Sequence, residues 1–209
     1  RGGLEGGFTN YYHERKNVQL MNFTPSLRAE GYTTAALDWQ DSLAGDCVVR
    51  VGADGTIDNA GVTDSTAYWT GYTMLRDSNG NLYMGGKFEN LNGIAAADAI
   101  AIQAAGGTTW AAVGAGLGAA GVVHSMVEGF DGKIYIGGNY INAGTIPTAN
   151  YISRWTGSAY ESITASGASN DVVRALAISR VGHLYAGGDF TTINGVSSNY
   201  IARYDGTNW

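Results

Sequence analysis

The chain has 209 residues, of which 32 are glycine and only 2 are proline, and its formal net charge is −6. Charged residues make up 14% of it, against about 25% in an average protein, while aromatic residues reach 11%. Such a chain is too apolar for disorder and too rich in glycine for long helices, because each helical glycine costs roughly 1 kcal/mol relative to alanine. The negative charge argues against a nucleic-acid partner, and the sequence contains no run of apolar residues long enough to predict a membrane span. These exclusions leave an all-β protein with many turns.

Residues 1–66 form a divergent N-terminal segment. Leu4 to Asn10 echo, with one residue missing, a motif that returns later in the chain, but the Gly-Gly pair of the next copy lies 79 positions later. Two interpretations remain open, a degenerate copy of the later repeat with an insertion or the end of a preceding domain of another fold. We favour the second.

An internal repeat occupies the rest of the chain. The segment Leu82 to Phe88 recurs as Ile134 to Tyr140 and again as Leu184 to Phe190, with steps of 52 and 50 residues. Apolar residues upstream, isoleucines downstream and aromatic residues further on keep the same spacing, with one gap: Met74, Met126 and Leu176; Ile100, Ile152 and Ile201; Trp110, Tyr160 and Trp209. A fixed period of this length is typical of repeat architectures.

Each repeat predicts four short antiparallel strands. A nearly continuous apolar run such as 172–178 predicts a strand covered on both faces, and Asn79-Gly80 or Asp131-Gly132 predicts a type I′ hairpin turn after it. The paired glycines of the second strand allow a close backbone approach or a bulge. A polar loop such as Thr191 to Asn199 leads to the third strand, and a tight turn leads to an aromatic residue that opens the fourth. We predict strands at 72–76, 82–88, 98–103, 122–128, 133–140, 149–155, 172–178, 183–190 and 199–204, with fourth strands from Trp110 and Tyr160, negligible helix, and an irregular third hairpin at Gln103 to Gly107.

The repeat sequences DGKIYIGGNY and GHLYAGGDFTTINGVSSNYIARYDGTNW resemble the kelch-like, Gly-Gly-rich β-propeller repeats of bacterial surface proteins and tailed-phage structural (tail) proteins. The resemblance covers residues 67–209 and implies three propeller repeats, at about 67–120, 121–170 and 171–209. It implies an all-β fold of four-stranded blades and a location on a virion or cell surface. The Tyr and Trp layout of intracellular kelch adaptors is absent from the sequence.

Residues that could carry catalysis or hold a metal are few. The single cysteine, Cys47, excludes an internal disulfide, and His13, His124 and His183 have no second ligand at metal-binding spacing. We therefore expect no catalytic residue, cofactor or metal site. Asp77 to Asn81 resembles part of a calcium loop but lacks the distal glutamate, so a hairpin stabilised by its aspartate is the better interpretation.

Carboxylates could still form the pair that a glycosidase needs. The candidates are Asp98, Glu128, Asp171 and Asp189, whereas Asp131 and Asp205 fit better as turn residues. A glycan-active hydrolase or lyase on a propeller scaffold is thus one alternative function, and a protein-interaction propeller is another.

Aromatic side chains outside the repeat's apolar positions are candidates for ligand contact. Tyrosine and tryptophan combine a flat apolar face with a polar group, which suits recognition surfaces. The candidates are Tyr11, Tyr12, Trp39, Trp69 and Tyr72.

The preferred hypothesis is a non-enzymatic structural or receptor- or glycan-contacting propeller module of a virion tail or cell-surface assembly. Its expected partners are other protein subunits of the assembly or the remainder of a longer chain, and a surface glycan as ligand. Three repeats are too few to close a propeller, which typically has four to eight blades, and residues 1–66 could supply at most one more. The sequence therefore predicts an incomplete propeller whose last sheet needs a neighbour.

Overall fold

The computed structural model describes residues 70–163 and 169–209 and, before them, the backbone of three short strands. These strands are β1 (Thr33–Ala36), β2 (Val48–Val51) and β3 (Ile57–Asp58), which pair antiparallel in the order β1-β2-β3. β1 lies beside β4 (Thr70–Arg76), where the repeat region begins. Among the residues described, no helix has the length and apolar character needed to cross a membrane.

Each of the first two repeats folds into a four-stranded antiparallel sheet with its strands in chain order. The first blade consists of β4, β5 (Leu82–Lys87), β6 (Ile100–Gln103) and β7 (Trp110–Ala112). The second blade consists of β8 (Val122–Glu128), β9 (Ile134–Asn139), β10 (Ile152–Trp155) and β11 (Tyr160–Glu161).

The third blade is a three-stranded sheet accompanied by a small hairpin. Its strands are β12 (Val173–Ile178), β13 (Leu184–Gly188) and β16 (Ile201–Tyr204), and the hairpin is β14 (Thr192–Ile193) with β15 (Val196–Ser197). The nine predicted strands, the fourth strands and the propeller-blade architecture are confirmed, with ends that differ by up to three residues. In the described ranges the one helical element is a 3₁₀ turn, Leu91–Gly93.

One loop prediction was wrong. The segment Thr191 to Asn199 is not wholly loop, because Ile193 is completely buried and anchors the β14–β15 hairpin. The hairpin after Gln103 keeps the strand pairing of the second blade, since Gln103 pairs with Trp110 as Trp155 pairs with Tyr160, but its loop is longer than that of the second blade.

The turn between the first two strands of a blade is not type I′. That turn needs a positive φ at both central residues, and of the pair Asn79-Gly80 only Gly80 has one (φ +86°). The Gly80 N–H donates to the Asp77 carbonyl at 2.9 Å, and the Asp77 N–H donates to the Asn81 carbonyl at 2.9 Å. The result is a three-residue loop closed by a left-handed glycine. The Asp77 carboxylate holds it, because its Oδ1 accepts the N–H groups of Asn79 and Asn81 at 3.0 and 2.7 Å.

Two of the three apolar clusters of the described residues join neighbouring blades, and the third lies within the first blade, around Met84 and Trp110. Tyr83 and Ile100 of the first blade pack with Val123 and Ile134 of the second. Tyr135 of the second blade belongs to the next cluster, which is built mainly from the third blade. The first strands β4, β8 and β12 lie next to one another, so neighbouring blades contact each other along their first strands. Burying one such isoleucine stabilises the fold by about 1.5–3 kcal/mol, so each blade depends on its neighbour.

A hydrogen bond between neighbouring blades recurs at the opening of the fourth strand. The Tyr160 hydroxyl donates to the Val113 carbonyl of the first blade at 2.9 Å. One repeat later, the Trp209 indole N–H donates to the Ile163 carbonyl of the second blade at 3.1 Å. Tyr160 and Trp209 therefore each bind their blade to the one before it.

Candidate functional site

The first strand of every blade carries a β-bulge opposite the Gly-Gly pair. In β4 the register passes from Gly71, opposite Gly86, to Thr73, opposite Gly85, so Tyr72 is the extra residue. The same shift isolates His124 in β8 and Arg174 in β12. A Cβ on the second glycine of each pair would lie only 2.0–2.1 Å from a first-strand carbonyl oxygen, so the bulge requires glycine there. The predicted bulge is confirmed.

The three bulge residues form one row across neighbouring strands, which we call the bulge row: Tyr72, His124 and Arg174. The Tyr72 and His124 rings are 5.5 Å apart between centroids and tilted by 41°. Tyr72 is exposed, at 39%, and ligand contact by it stays a prediction. Bulges commonly re-aim a side chain next to a binding site. Among the described residues, this row is the best candidate for ligand contact.

The charges in the row balance each other. The Arg174 Nε donates to both carboxylate oxygens of Asp189 at 2.8 and 2.9 Å, and its Nη2 donates to Oδ2 at 2.5 Å. Burial, together with the nearby Arg174 charge, lowers the pKa of His124, although the Asp189 charge acts in the opposite direction. The Arg174 hydrogen bonds lower the pKa of Asp189. At neutral pH the row therefore carries a neutral imidazole and one cation, Arg174, whose charge the neighbouring Asp189 compensates.

Sequence reasoning found one member of this row and missed the others. Of the five aromatic candidates, Tyr72 is described, whereas Tyr11, Tyr12, Trp39 and Trp69 lie outside the described residues, as do Cys47 and His13. The signal for His124 and Arg174 was present, because they follow Tyr72 at the repeat's own steps of 52 and 50 residues. Because a tyrosine, a histidine and an arginine differ in chemistry, the sequence alone did not indicate that the three residues share one position of the repeat.

The four candidate glycosidase carboxylates each hold structure in place. Asp98 accepts the backbone N–H of Asn90 at 2.8 Å, and in the second blade Asn150 makes the equivalent bond to Asn142, so this position needs no acid. Asp171 accepts the adjacent Val172 N–H, and Asp189 pairs with Arg174.

Glu128 joins two blades. Its carboxylate accepts the Ser78 N–H at 2.8 Å and the Ser78 hydroxyl at 2.6 Å, across the boundary between the first and second blades. This contact occupies both of its oxygens. The structure thus gives each candidate acid a partner that is already bound.

The remaining acidic and histidine candidates lie in turns. Asp205 accepts the N–H groups of Thr207 and Asn208 at 2.9 and 2.8 Å, and Asp131 accepts the Lys133 N–H at 3.3 Å. The His183 backbone N–H donates to Ser179 Oγ in the turn of the third blade. Within the part of the chain that the structure describes, no three histidine, cysteine, aspartate or glutamate side chains come together as a metal site would require.

A second candidate surface is the outer face of the third blade, which we call the third-blade face: Tyr185, Gly187, Tyr200 and Ile201. Tyr185 is 38% exposed, whereas its equivalents Tyr83 and Tyr135 are 3% and 6% exposed. Ile201 is 65% exposed, whereas its two counterparts in the earlier blades are fully buried. The blade that follows covers these positions in the first two blades.

The first glycine of each Gly-Gly pair also has a different environment in the third blade than in the first two blades. A Cβ on Gly85 would lie 2.5 Å from Val123 of the second blade, and a Cβ on Gly137 would lie 2.7 Å from Val173 of the third. On Gly187 the nearest atom would be a carbonyl oxygen at 3.7 Å. Glycine at this position therefore makes room for the next blade, and no other described residue fills that room in the third blade.

A match to a family model supports the assignment of the third blade. The family model described as "Domain of unknown function (DUF5122) beta-propeller" matches residues 182–207, which lie in the third blade. No curated protein matches the sequence. Among solved structures, the chain is similar to the extracellular domain of BT4673 from B. thetaiotaomicron, described as a one-component system, with 8% identity and a TM-score of 0.36. The alignment covers 77% of this chain and 25% of that one, so this chain spans about a quarter of that protein's length.

Proposed function

We propose that this chain is a non-enzymatic β-propeller module of a virion tail or cell-surface assembly, with structural and receptor- or glycan-contacting duties. The observation that carries the proposal is the third-blade face. It repeats the surface that packs against a neighbouring blade twice already in this chain, and it exposes Tyr200 and Ile201 at 63% and 65%. The occupant is another blade of the same repeat, supplied by a second subunit or by further polypeptide.

The resemblance of the repeats to Gly-Gly-rich propeller repeats of surface and phage-tail proteins supports the surface location. The partners of the carboxylates support a non-enzymatic role, since Glu128 and Asp189 are both engaged by donors within the chain. These hydrogen bonds and this ion pair account for both acids without a catalytic role.

Sedimentation velocity over a concentration series tests the assembly. We expect the protein to self-associate as concentration rises, and Ile201→Ser to weaken association at least about tenfold, which corresponds to about 1.4 kcal/mol. Ile141→Ser is the matched control, because Ile141 is 63% exposed and lies outside the third-blade face. Two results would contradict a second subunit as the occupant. One is a wild-type protein that stays monomeric, and the other is an Ile201→Ser variant that associates as strongly as the wild type.

Incubation with a panel of polysaccharides tests the non-enzymatic part. We expect no new reducing ends and no unsaturated products. Turnover that Glu128→Gln or Asp189→Asn abolishes would establish the hydrolase or lyase alternative instead.

A further inference from the structure

The identity of the bulge-row side chains is not dictated by the bulge. The same backbone shift holds a tyrosine, a histidine and an arginine at equivalent positions. The side chains of Arg174 and Asp189 are 57% and 43% exposed, and ion pairs at such exposed positions contribute little to stability. Folding therefore leaves these side chains free to serve recognition.

We propose that the bulge row binds a neutral saccharide, with the aromatic ring of Tyr72 against a sugar face and the Arg174–Asp189 pair on its hydroxyl groups. This inference names the ligand class and the site for the glycan-contacting part of the proposed function. An exposed tyrosine offers a flat apolar surface to the C–H face of a pyranose ring. The guanidinium supplies donors and the carboxylate supplies acceptors, which together match neighbouring hydroxyl groups.

The histidine between them fits the same ligand. A neutral imidazole offers one N–H donor and one acceptor nitrogen, as a hydroxyl group does. Burial and the Arg174 charge keep His124 in this neutral form at neutral pH.

The balance of charge favours a neutral sugar over an acidic one. Asp189 already accepts hydrogen bonds from Arg174 through both of its oxygens, so the guanidinium is not a free cation for a ligand carboxylate. The carboxylate of an anionic sugar would have to displace Asp189 from Arg174, or it would bind less tightly because the Asp189 carboxylate repels it.

Isothermal titration calorimetry with maltose, cellobiose and lactose, and with 3′-sialyllactose as the acidic comparator, tests the inference. We expect binding of at least one neutral disaccharide, with at least about tenfold loss of affinity in Tyr72→Ala and in Arg174→Ala. Tyr72→Phe keeps the ring and retains most of the affinity. Tyr185→Ala is the matched control, because Tyr185 is 38% exposed against 39% for Tyr72 but lies on the third-blade face.

Three outcomes overturn the inference. They are binding of the acidic sugar alone, binding that survives both Tyr72→Ala and Arg174→Ala, and no binding of any probe. Thermal melting of each variant separates loss of binding from loss of fold, and Tyr72→Phe reports on the ring if the alanine variant unfolds. Because self-association is measured separately, failure here leaves the assembly proposal standing.

Discussion

Gly187 and Gly188 are adjacent residues with opposite tolerance for a side chain. A Cβ on Gly188 would lie 2.1 Å from the Val172 carbonyl oxygen, whereas on Gly187 it would meet nothing closer than 3.7 Å. We expect Gly188→Ala to lower the free energy of unfolding by at least about 1–3 kcal/mol, as overpacking does, because the backbone must move. Gly187→Ala should be neutral or stabilise by up to about 1 kcal/mol.

Urea denaturation of the two variants measures this difference. Gly137→Ala extends the comparison, since its Cβ would meet Val173 of the next blade and it should therefore resemble Gly188→Ala rather than Gly187→Ala. Equal destabilisation at positions 187 and 188 would contradict the separate roles assigned to the two glycines.

His124 should make the stability of the protein depend on pH. Burial, with the Arg174 charge, lowers its pKa below 6.5 in the folded chain. The unfolded chain therefore binds the proton more readily, so the free energy of unfolding falls as pH drops through about 6.5. His124→Gln cannot titrate and should show a flatter profile between neutral pH and pH 5 in chemical denaturation. An identical profile in the variant would exclude this source of acid sensitivity.

The contribution of one hydrogen bond between blades to stability can be tested at the Tyr160 hydroxyl group. Tyr160 is buried and donates to the Val113 carbonyl, which also accepts the Gly116 N–H at 3.0 Å. Because the carbonyl keeps that second partner, Tyr160→Phe should cost about 0.5–1.5 kcal/mol rather than the larger cost of an unpaired group. Tyr185→Phe removes an exposed hydroxyl and should change stability little. Urea denaturation measures the free energy of unfolding of both variants. Equal changes in Tyr160→Phe and Tyr185→Phe would argue against a stabilising hydrogen bond between the blades.

The strands were predictable from sequence because the repeat gave three independent copies of each apolar pattern. The turn type was not, since Asn79-Gly80 suits a type I′ turn while the Asp77 carboxylate, two residues earlier, selects another loop. The bulge was predictable from the paired glycines, but its extra residue was not. Tyr72 was found as an exposed aromatic residue, whereas His124 could be recognised only once the strand register was known.

Across the whole molecule, the protection of backbone amides against hydrogen exchange should increase with the number of blades that pack against a given blade. The second blade packs against a blade on each side, whereas the third has one such neighbour within the described residues. Stability in repeat proteins is approximately a sum of unit and nearest-neighbour terms. We expect backbone amides of β16 (Ile201–Tyr204) to exchange with deuterium faster than those of β10 (Ile152–Trp155), although both are third strands.

Hydrogen exchange followed by mass spectrometry measures this contrast at low protein concentration. At higher concentration the β16 amides should become slower if the third-blade face is covered by a second subunit. Equal exchange of the two strands at low concentration would contradict nearest-neighbour stabilisation.

The fit between a bare glycine and a facing valine occurs twice, at Gly85 with Val123 and at Gly137 with Val173. Because both boundaries use the same pair, removal of the whole second repeat would bring Val173 onto Gly85 and restore this glycine–valine contact. The Ser78–Glu128 hydrogen bonds occur at the first boundary and would be lost. A gene encoding such a protein can therefore gain or lose whole repeats through duplication or deletion while the glycine–valine contact is kept at each boundary.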